Sequence, residues 1–245
     1  MGFVRSLATI AFIIALPVAI ITTNIRLLLN APLIYDYAFD RYNAEETTGL
    51  SRADLDACAA ELRAYFNSSE PTYYCTVTQD GLPTSIFSAR ETRHMEDVKG
   101  LVSKMNVAQI ASVMFVVAYG IVFFVWWRDS DVRQLASQAL IGLLFGALAV
   151  GAVGVLVAVG FDATWERFHE IAFTNELWLL NPRTDHLIQM FPEAFWRDAI
   201  FILAGLCLLE AAAIAAVSGI YIISSRGPHR HISGSIAMNA STRAA

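Results

Sequence analysis

The sequence predicts an all-α membrane protein: a four-transmembrane-helix bundle with a small, mostly helical extracytoplasmic domain that has room for a short β-hairpin. Three observations predict it. Only 16% of the 245 residues are charged and 56% are hydrophobic, whereas soluble domains carry about a quarter charged residues. Four segments are apolar over the roughly 20 residues that a helix needs to cross a hydrocarbon core. The residues capable of chemistry are gathered into the two stretches that separate these segments on one side.

Taken in order, residues 1–29 are the first transmembrane helix and 30–106 an extracytoplasmic region leading into the second, at 107–127. Residues 128–134 are a cytoplasmic turn, 135–161 the third helix, 162–198 an extracytoplasmic catalytic loop, 199–225 the fourth helix and 226–245 a cytoplasmic tail. The apolar cores are Ser6–Ile25, Val107–Trp127, Leu135–Phe161 and Ala199–Ser225. Pro17 sits inside the first, where packing against neighbouring helices tolerates a kink. No small-residue cleavage pattern follows that segment, so it reads as a retained helix and not a signal peptide. Gly142-x-x-x-Gly146 and Ala147-x-x-x-Gly151 in the third span, with the alanines of the fourth, suit close helix approach.

Orientation follows the short loops. Arg5, the turn holding Arg128 and Arg133, and the tail with Arg226, Arg230 and Arg243 fall on one side, which the positive-inside rule assigns to the cytoplasm. The opposite side receives 19 of the 22 acidic residues. A net charge of −5 makes nucleic acid an unsuitable partner. The chain has no glycine-rich phosphate loop or cysteine pair at metal-finger spacing, so no cofactor is expected.

In the first outer region, Ala31-Pro32 ends the first helix. Tyr35, Tyr37, Phe39 and Tyr42 form an aromatic cluster suited to the headgroup zone. Ser51 is an N-cap, with Asp54 at the capping-box position, for a helix over Ser51–Phe66. Tyr73–Thr78 and Thr84–Phe87 can pair around Asp80-Gly81. Cys58 and Cys75 both lie where disulfides persist, and the sequence leaves their pairing open. Cys207, inside the fourth span, reads as inert. Ser88–Lys104 reads as a helix feeding the second span. On it, His94 has Glu91 and Asp97 three residues away on either side, an arrangement expected to raise its basicity and fix its tautomer. A plain solvated face accounts for the same charge pattern.

The second outer region alternates aromatics and charges from Trp165 to Trp196. His169 has Trp165 and Phe173 one turn away on either side. A packed, hydrogen-bonded histidine would look the same, and the tryptophans can equally be interfacial anchors.

Arg93-His94-Met95 followed by Asp97-Val98-Lys99 resembles one motif of the bacterial lipoprotein intramolecular transacylases. Phe168-His169-Glu170, with Asn175, Trp178, Pro182, Asp185 and Phe191-Pro192-Glu193, is similar to the other. The resemblance runs from Asn24-Ile25-Arg26 to the fourth span. It implies an acyltransferase of the bacterial cytoplasmic membrane. Such an enzyme moves an acyl chain from the diacylglyceryl group of a lipoprotein to the α-amine of its N-terminal cysteine, giving a lyso-form lipoprotein. It implies a diacylglyceryl lipoprotein substrate in the outer leaflet and contact with membrane lipid; the chain is expected to be a monomer, and the charge pattern above puts both termini in the cytoplasm.

An α-amine with a pKa near 7.7–8.0 needs a base, and histidine is best matched to that task. The resulting oxyanion needs a donor. One histidine of the pair is expected to deprotonate the amine and the other, protonated, to serve the oxyanion or leaving group. His169 as the base and His94 as the donor is the order taken here, the reverse order fits the sequence equally, and Glu170 or Asp97 could orient the rings. Supporting or substrate-binding candidates are Arg26, Glu91, Asp97, Lys99, Glu170, Asn175, Trp178, Arg183 and Asp185. A straight helix would lift His94 roughly 20 Å above Val107, unless Gly100 bends it or the second region folds back to the interface. Two rival readings are a metal-dependent membrane hydrolase using His94, His169 and His186, and a transporter or sensor using Glu210, a carboxylate inside the fourth span.

Overall fold

The structure is a computed structural model that describes residues 2–79, 82–125 and 132–225. Helix α1 spans Gly2–Asn30 and ends where Pro32 opens α2, Pro32–Arg41. Proline fits that first position because its missing N–H would be unpaired there anyway. Two further helices, α3 (Ala44–Thr48) and α4 (Arg52–Phe66), precede a two-stranded antiparallel hairpin, β1 (Thr76–Gln79) and β2 (Leu82–Ser85). Helix α5 is continuous over Ala89–Val125, and α6 covers Val132–Val159. Gly160 separates α6 from α7, Phe161–Ala172. The chain closes with α8 (His186–Met190) and α9 (Glu193–Ser224).

Four of these helices, α1, α5, α6 and α9, are long and apolar enough to span a membrane. Helix α1 packs against α5, α6 and α9, and α6 also packs against α9. The small residues of α6 are used unequally. A Cβ at Gly142 would lie 2.8 Å from the Ile13 carbonyl oxygen, and one at Gly146 would lie 2.7 Å from Pro17 Cβ, whereas Gly151 faces open space. The first glycine pair therefore sets the close approach of α1 to α6, and the proline ring occupies the space that Gly146 leaves. Polar groups inside the bundle pair with one another. The Tyr119 hydroxyl donates to Gln138 Oε1 at 2.8 Å, and Asn24 Nδ2 donates to Glu210 Oε2 at 3.0 Å.

Helix α5 has 37 residues, roughly 55 Å at 1.5 Å per residue and much longer than the hydrocarbon is thick. Its first four turns carry most of its charges, so only the part from Val107 onward suits the bilayer. Gly100 does not interrupt it. The early turns instead enter a second core outside the bundle. Tyr35, Phe39, Leu55, Leu62, Tyr73 and Phe87 pack there with Met95 of α5 and with Met190, Phe191 and Phe195. Cys58 and Cys75 are bonded as a disulfide within this core. The strand register is the one a turn at Asp80-Gly81 requires, with Thr76 opposite Ser85 and Gln79 opposite Leu82; only the strand bounds differ, both strands lying closer to the turn than the sequence suggests. The expected Asp80-Gly81 turn lies outside the described residues, as do Trp126, Trp127, Arg128 and the tail arginines.

One expectation is overturned here. Tyr35 and Phe39 are not headgroup anchors. On α2 they fall four residues apart on the inward face and are buried. Tyr37 and Tyr42 instead donate hydrogen bonds of 2.7 and 2.6 Å to Asp198 Oδ2, tying α2 to the first turns of α9.

Candidate active site

Two histidines from separate stretches of chain meet in an aromatic enclosure. The ring centroids of His94, in the second turn of α5, and His169, near the end of α7, are 6.2 Å apart. Each residue is only 7% exposed. Phe173 touches both, at 5.2 Å from His94 and 5.6 Å from His169. Trp178 stacks on His169 at 4.9 Å, and Trp165 meets it edge-on at 4.5 Å.

The local sequence explains how these rings are held. Ser88 and Glu91 form a reciprocal capping box at the start of α5: Ser88 Oγ accepts from the Glu91 amide, and Glu91 Oε2 accepts from the Ser88 amide at 2.7 Å. The other oxygen of Glu91 accepts from the Leu187 amide at 2.7 Å, so this buried carboxylate fastens α5 to α8. Asp97 Oδ2 accepts from Asn175 Nδ2 at 2.9 Å, and Asn175 Oδ1 accepts from the Leu177 amide. Arg90 donates to the Leu179 carbonyl. Three contacts from the first turns of α5 therefore hold the loop that carries Trp178 over His169.

On α7, apolar Phe161, Trp165, Phe168 and Ala172 recur at three- and four-residue spacing. Asp162, Glu166, Arg167 and Glu170 take the other face. His169 lies at the border between the faces. Its Nδ1 donates to the Trp165 carbonyl oxygen at 2.8 Å. A carbonyl can only accept, so Nδ1 carries the proton and, in the neutral ring, Nε2 carries the lone pair.

The electrostatics run opposite to the sequence expectation for His94. Its pKa is pushed down to about 4, first by loss of hydration on burial and then by the neighbouring His169; Asp97 acts in the other direction without prevailing. His169 is also held below the ordinary histidine value by burial, despite the Trp165 carbonyl and Glu193. Burial therefore favours the neutral form of both rings near pH 7, which suits His94 as a neutral N–H donor better than as a resting imidazolium. The carboxylates expected to raise His94 are engaged elsewhere, Glu91 with two backbone amides and Asp97 with Asn175. Neither Asp97 nor Glu170 makes a hydrogen bond to an imidazole; Glu170 pairs with Arg167 at 2.6 Å on the surface. Among the described residues no hydrogen-bond partner reaches the buried His94 Nδ1, and such a group is expensive unless something else satisfies it.

The remaining candidates lie apart from the pair. Arg26 donates to Gln109 Oε1 inside the bundle at 3.1 Å. Lys99 donates to the Glu70 carbonyl and sits 4.0 Å from the Tyr65 ring centroid. Arg183 is exposed, and Asp185 Oδ2 accepts from the Asn181 amide, shaping the loop before α8. Sequence reasoning named Phe173 and Trp165 only as apolar neighbours. Their three- and four-residue offsets from His169 were the available signal for a ring-lined site. The backbone acceptor of Trp165 leaves no side-chain signature. Among the described residues, no group of three or more His, Cys, Asp or Glu is placed to hold a metal ion.

Comparison with known proteins places this geometry in context. The family model of lipoprotein intramolecular transacylase Lit matches residues 10–196. The membrane integral lipoprotein intramolecular transacylase Lit from Bacillus cereus has the same fold. Its structure superposes with a TM-score of 0.77 at 19% identity, covering 92% of this chain and 99% of that one. Two structures of that protein with a histidine replaced, by arginine in one and alanine in the other, each give a TM-score of 0.73. An uncharacterized Aquifex aeolicus protein is 25% identical over 123 residues, which is 50% of this chain and 52% of that protein's length.

Proposed function

Because the chain belongs to the lipoprotein intramolecular transacylase family, we propose that it transfers an acyl chain within a diacylglyceryl lipoprotein. The chain moves from a glyceryl ester to the α-amine of the N-terminal cysteine. One observation carries the mechanism: two neutral imidazoles, 6.2 Å apart, share a water-poor aromatic box.

The α-amine nitrogen attacks the ester carbonyl carbon and forms the C–N bond. His169 Nε2, left with its lone pair by the Trp165 contact, removes a proton from the attacking nitrogen. An N–H of His94 stabilises the oxyanion as it develops. Collapse breaks the ester C–O bond, and His169 returns its proton to the departing glyceryl alkoxide. The products are an amide and one free hydroxyl, so atoms and charge balance without an added cofactor. Amine and ester belong to one molecule, and a shared pocket gives them a high effective concentration. The aromatic walls limit water, the competing nucleophile.

The positive-inside pattern supports an extracytoplasmic site with both termini in the cytoplasm, and the disulfide on the same side as the histidines agrees with it. On this reading residues 30–106 and 162–198 face outward, and the enzyme acts as a monomer. The test is expression in a bacterium lacking lipoprotein N-acylation, followed by mass spectrometry of one lipopeptide. The N-acyl, monoester form is expected with the wild type and absent with His169→Ala. Undiminished product from His169→Ala would overturn the mechanism.

A further inference from the structure

Helix α7 keeps large apolar residues on its surface beside the histidine pair. Phe168 is 43% exposed and Ile171 is 77% exposed. Water is a poor environment for both, and nothing else among the described residues covers them. The strip joins the lipid-facing surface of the bundle. Val155, Leu156 and Val159 are exposed at the end of α6, the last at 85%. From there the rings of Phe161, Trp165 and Phe168 follow one another at 5.6 and 5.5 Å. The opposite face carries Asp162, Glu166, Arg167 and Glu170, the last two paired in solvent.

We propose that α7 is an interfacial lipid-binding helix: Phe168 and Ile171 are immersed in the acyl region of the bilayer, and Glu166 and Glu170 face water. An amphipathic helix with this distribution lies in the plane of the interface, its apolar face buried about 5–10 Å into the headgroup and acyl boundary. Continuity with α6 selects lipid over a protein partner, because lipid already covers the adjoining surface. The arrangement answers a problem of reach. Standing upright on α6, ten residues of helix would lift His169 about 15 Å above Val159, beyond the depth of a glyceryl ester. Lying in the interface, α7 keeps His169 at ester depth, and the strip guides the acyl chain toward it. This consequence for catalysis rests on the proposed transacylase reading; the lipid contact does not.

Depth measurement tests it without reference to activity. Single cysteines at Phe168, Ile171, Glu166 and Glu170, in a Cys207→Ser background that keeps the disulfide, are spin-labelled in phosphatidylethanolamine–phosphatidylglycerol vesicles. Collision with oxygen is expected to dominate for the 168 and 171 labels, and collision with a water-soluble nickel chelate for 166 and 170. Equal access of the nickel chelate to the 170 and 171 labels overturns the proposal, as does shielding of 171 from both reagents, the result of a covering protein. Ile171→Glu separates the catalytic consequence. It is expected to reduce conversion of a vesicle-embedded diacyl lipopeptide at least tenfold, while a short-chain soluble analogue reacts within about twofold of wild type. Loss of lipid immersion with normal lipopeptide conversion would reject the proposed role of α7 in holding His169 at ester depth, while leaving both the lipid contact and the transacylase reading standing.

Discussion

His94 illustrates how position in sequence and position in space can oppose each other. Acidic residues three positions away on both sides suggest a strongly basic ring. Folding sends Glu91 to two backbone amides, engages Asp97 with Asn175 and removes water from the imidazole, so desolvation decides the sign. This gives two pH predictions. The base form of His169 persists below the ordinary histidine value, so the acid limb of the kcat/KM profile is expected below pH 6.5. Stability follows the same sign. A depressed histidine binds its proton more readily in the unfolded chain, so folding weakens as pH falls from about 6.5 toward 4. That loss is at most about 1.4 kcal/mol per pH unit from this one ring, and thermal melting across that interval measures it. Asp97→Ala is expected to free the Asn175–Trp178 loop and lower kcat about tenfold. Asp97→Asn retains an acceptor for Asn175 and should restore most of it. Equal losses in the two variants would point to charge at Asp97, not its grip on the loop. Histidines, aromatics and carboxylates were all legible as candidates from residue type and spacing. Which of them touch was not, because hydrogen-bond partners such as the Leu187 amide and the Trp165 carbonyl belong to distant or main-chain groups with no pattern in the sequence.

The elements themselves were largely readable. Pro32 after Asn30, Ser51 before α4 and the apolar runs mark local preferences that packing reinforces, and the corresponding helices form. Their functional extent was less visible. The α5 helix runs unbroken from an extramembrane core into the span, since glycine at position 100 is merely permissive and nothing competes with the helix there. The aromatic cluster of α2 was assigned to the headgroup zone because aromatic residues satisfy both a core and an interface. The packing of Tyr35 and Phe39 against Phe191 resolves it. Among the glycines of α6, Gly146→Ala would set a methyl carbon against the Pro17 ring and should lower the unfolding midpoint by several degrees. Gly151→Ala should be neutral or slightly stabilising, because its surroundings are open. Differential scanning fluorimetry of both variants in the same detergent makes the comparison, and equal behaviour would show that α1 and α6 do not depend on this contact.

At the scale of the whole molecule, a membrane bundle supports a disulfide-closed domain beyond one end of it, and the histidine pair lies where α5, α7 and the 173–185 loop converge. Reduction of Cys58–Cys75 releases a closure across 17 residues, worth about 3 kcal/mol in the loop-entropy account. Treatment with a membrane-impermeant reductant should therefore lower the melting midpoint in right-side-out spheroplasts, and leave it unchanged if the outer domain faces the cytoplasm. Glu210 belongs to this scale too. It accepts from Asn24 between α9 and α1, and Glu210→Gln keeps an acceptor there. That variant should retain at least half of wild-type acyl transfer in the lipopeptide assay. Near-complete loss would restore the intramembrane proton-site reading.

The sequence by itself determined the membrane class, the four spans, the side on which polar chemistry collects and the two histidines, because hydrophobic length and residue type act locally along the chain. Tertiary structure alone decided that the two imidazoles meet, that burial favours their uncharged forms, that Glu91 and Asp97 fasten a loop, and that α7 leaves an apolar strip uncovered. Those outcomes depend on which distant groups exclude water from one another, and desolvation is a property of the packed molecule with no counterpart in the order of its residues.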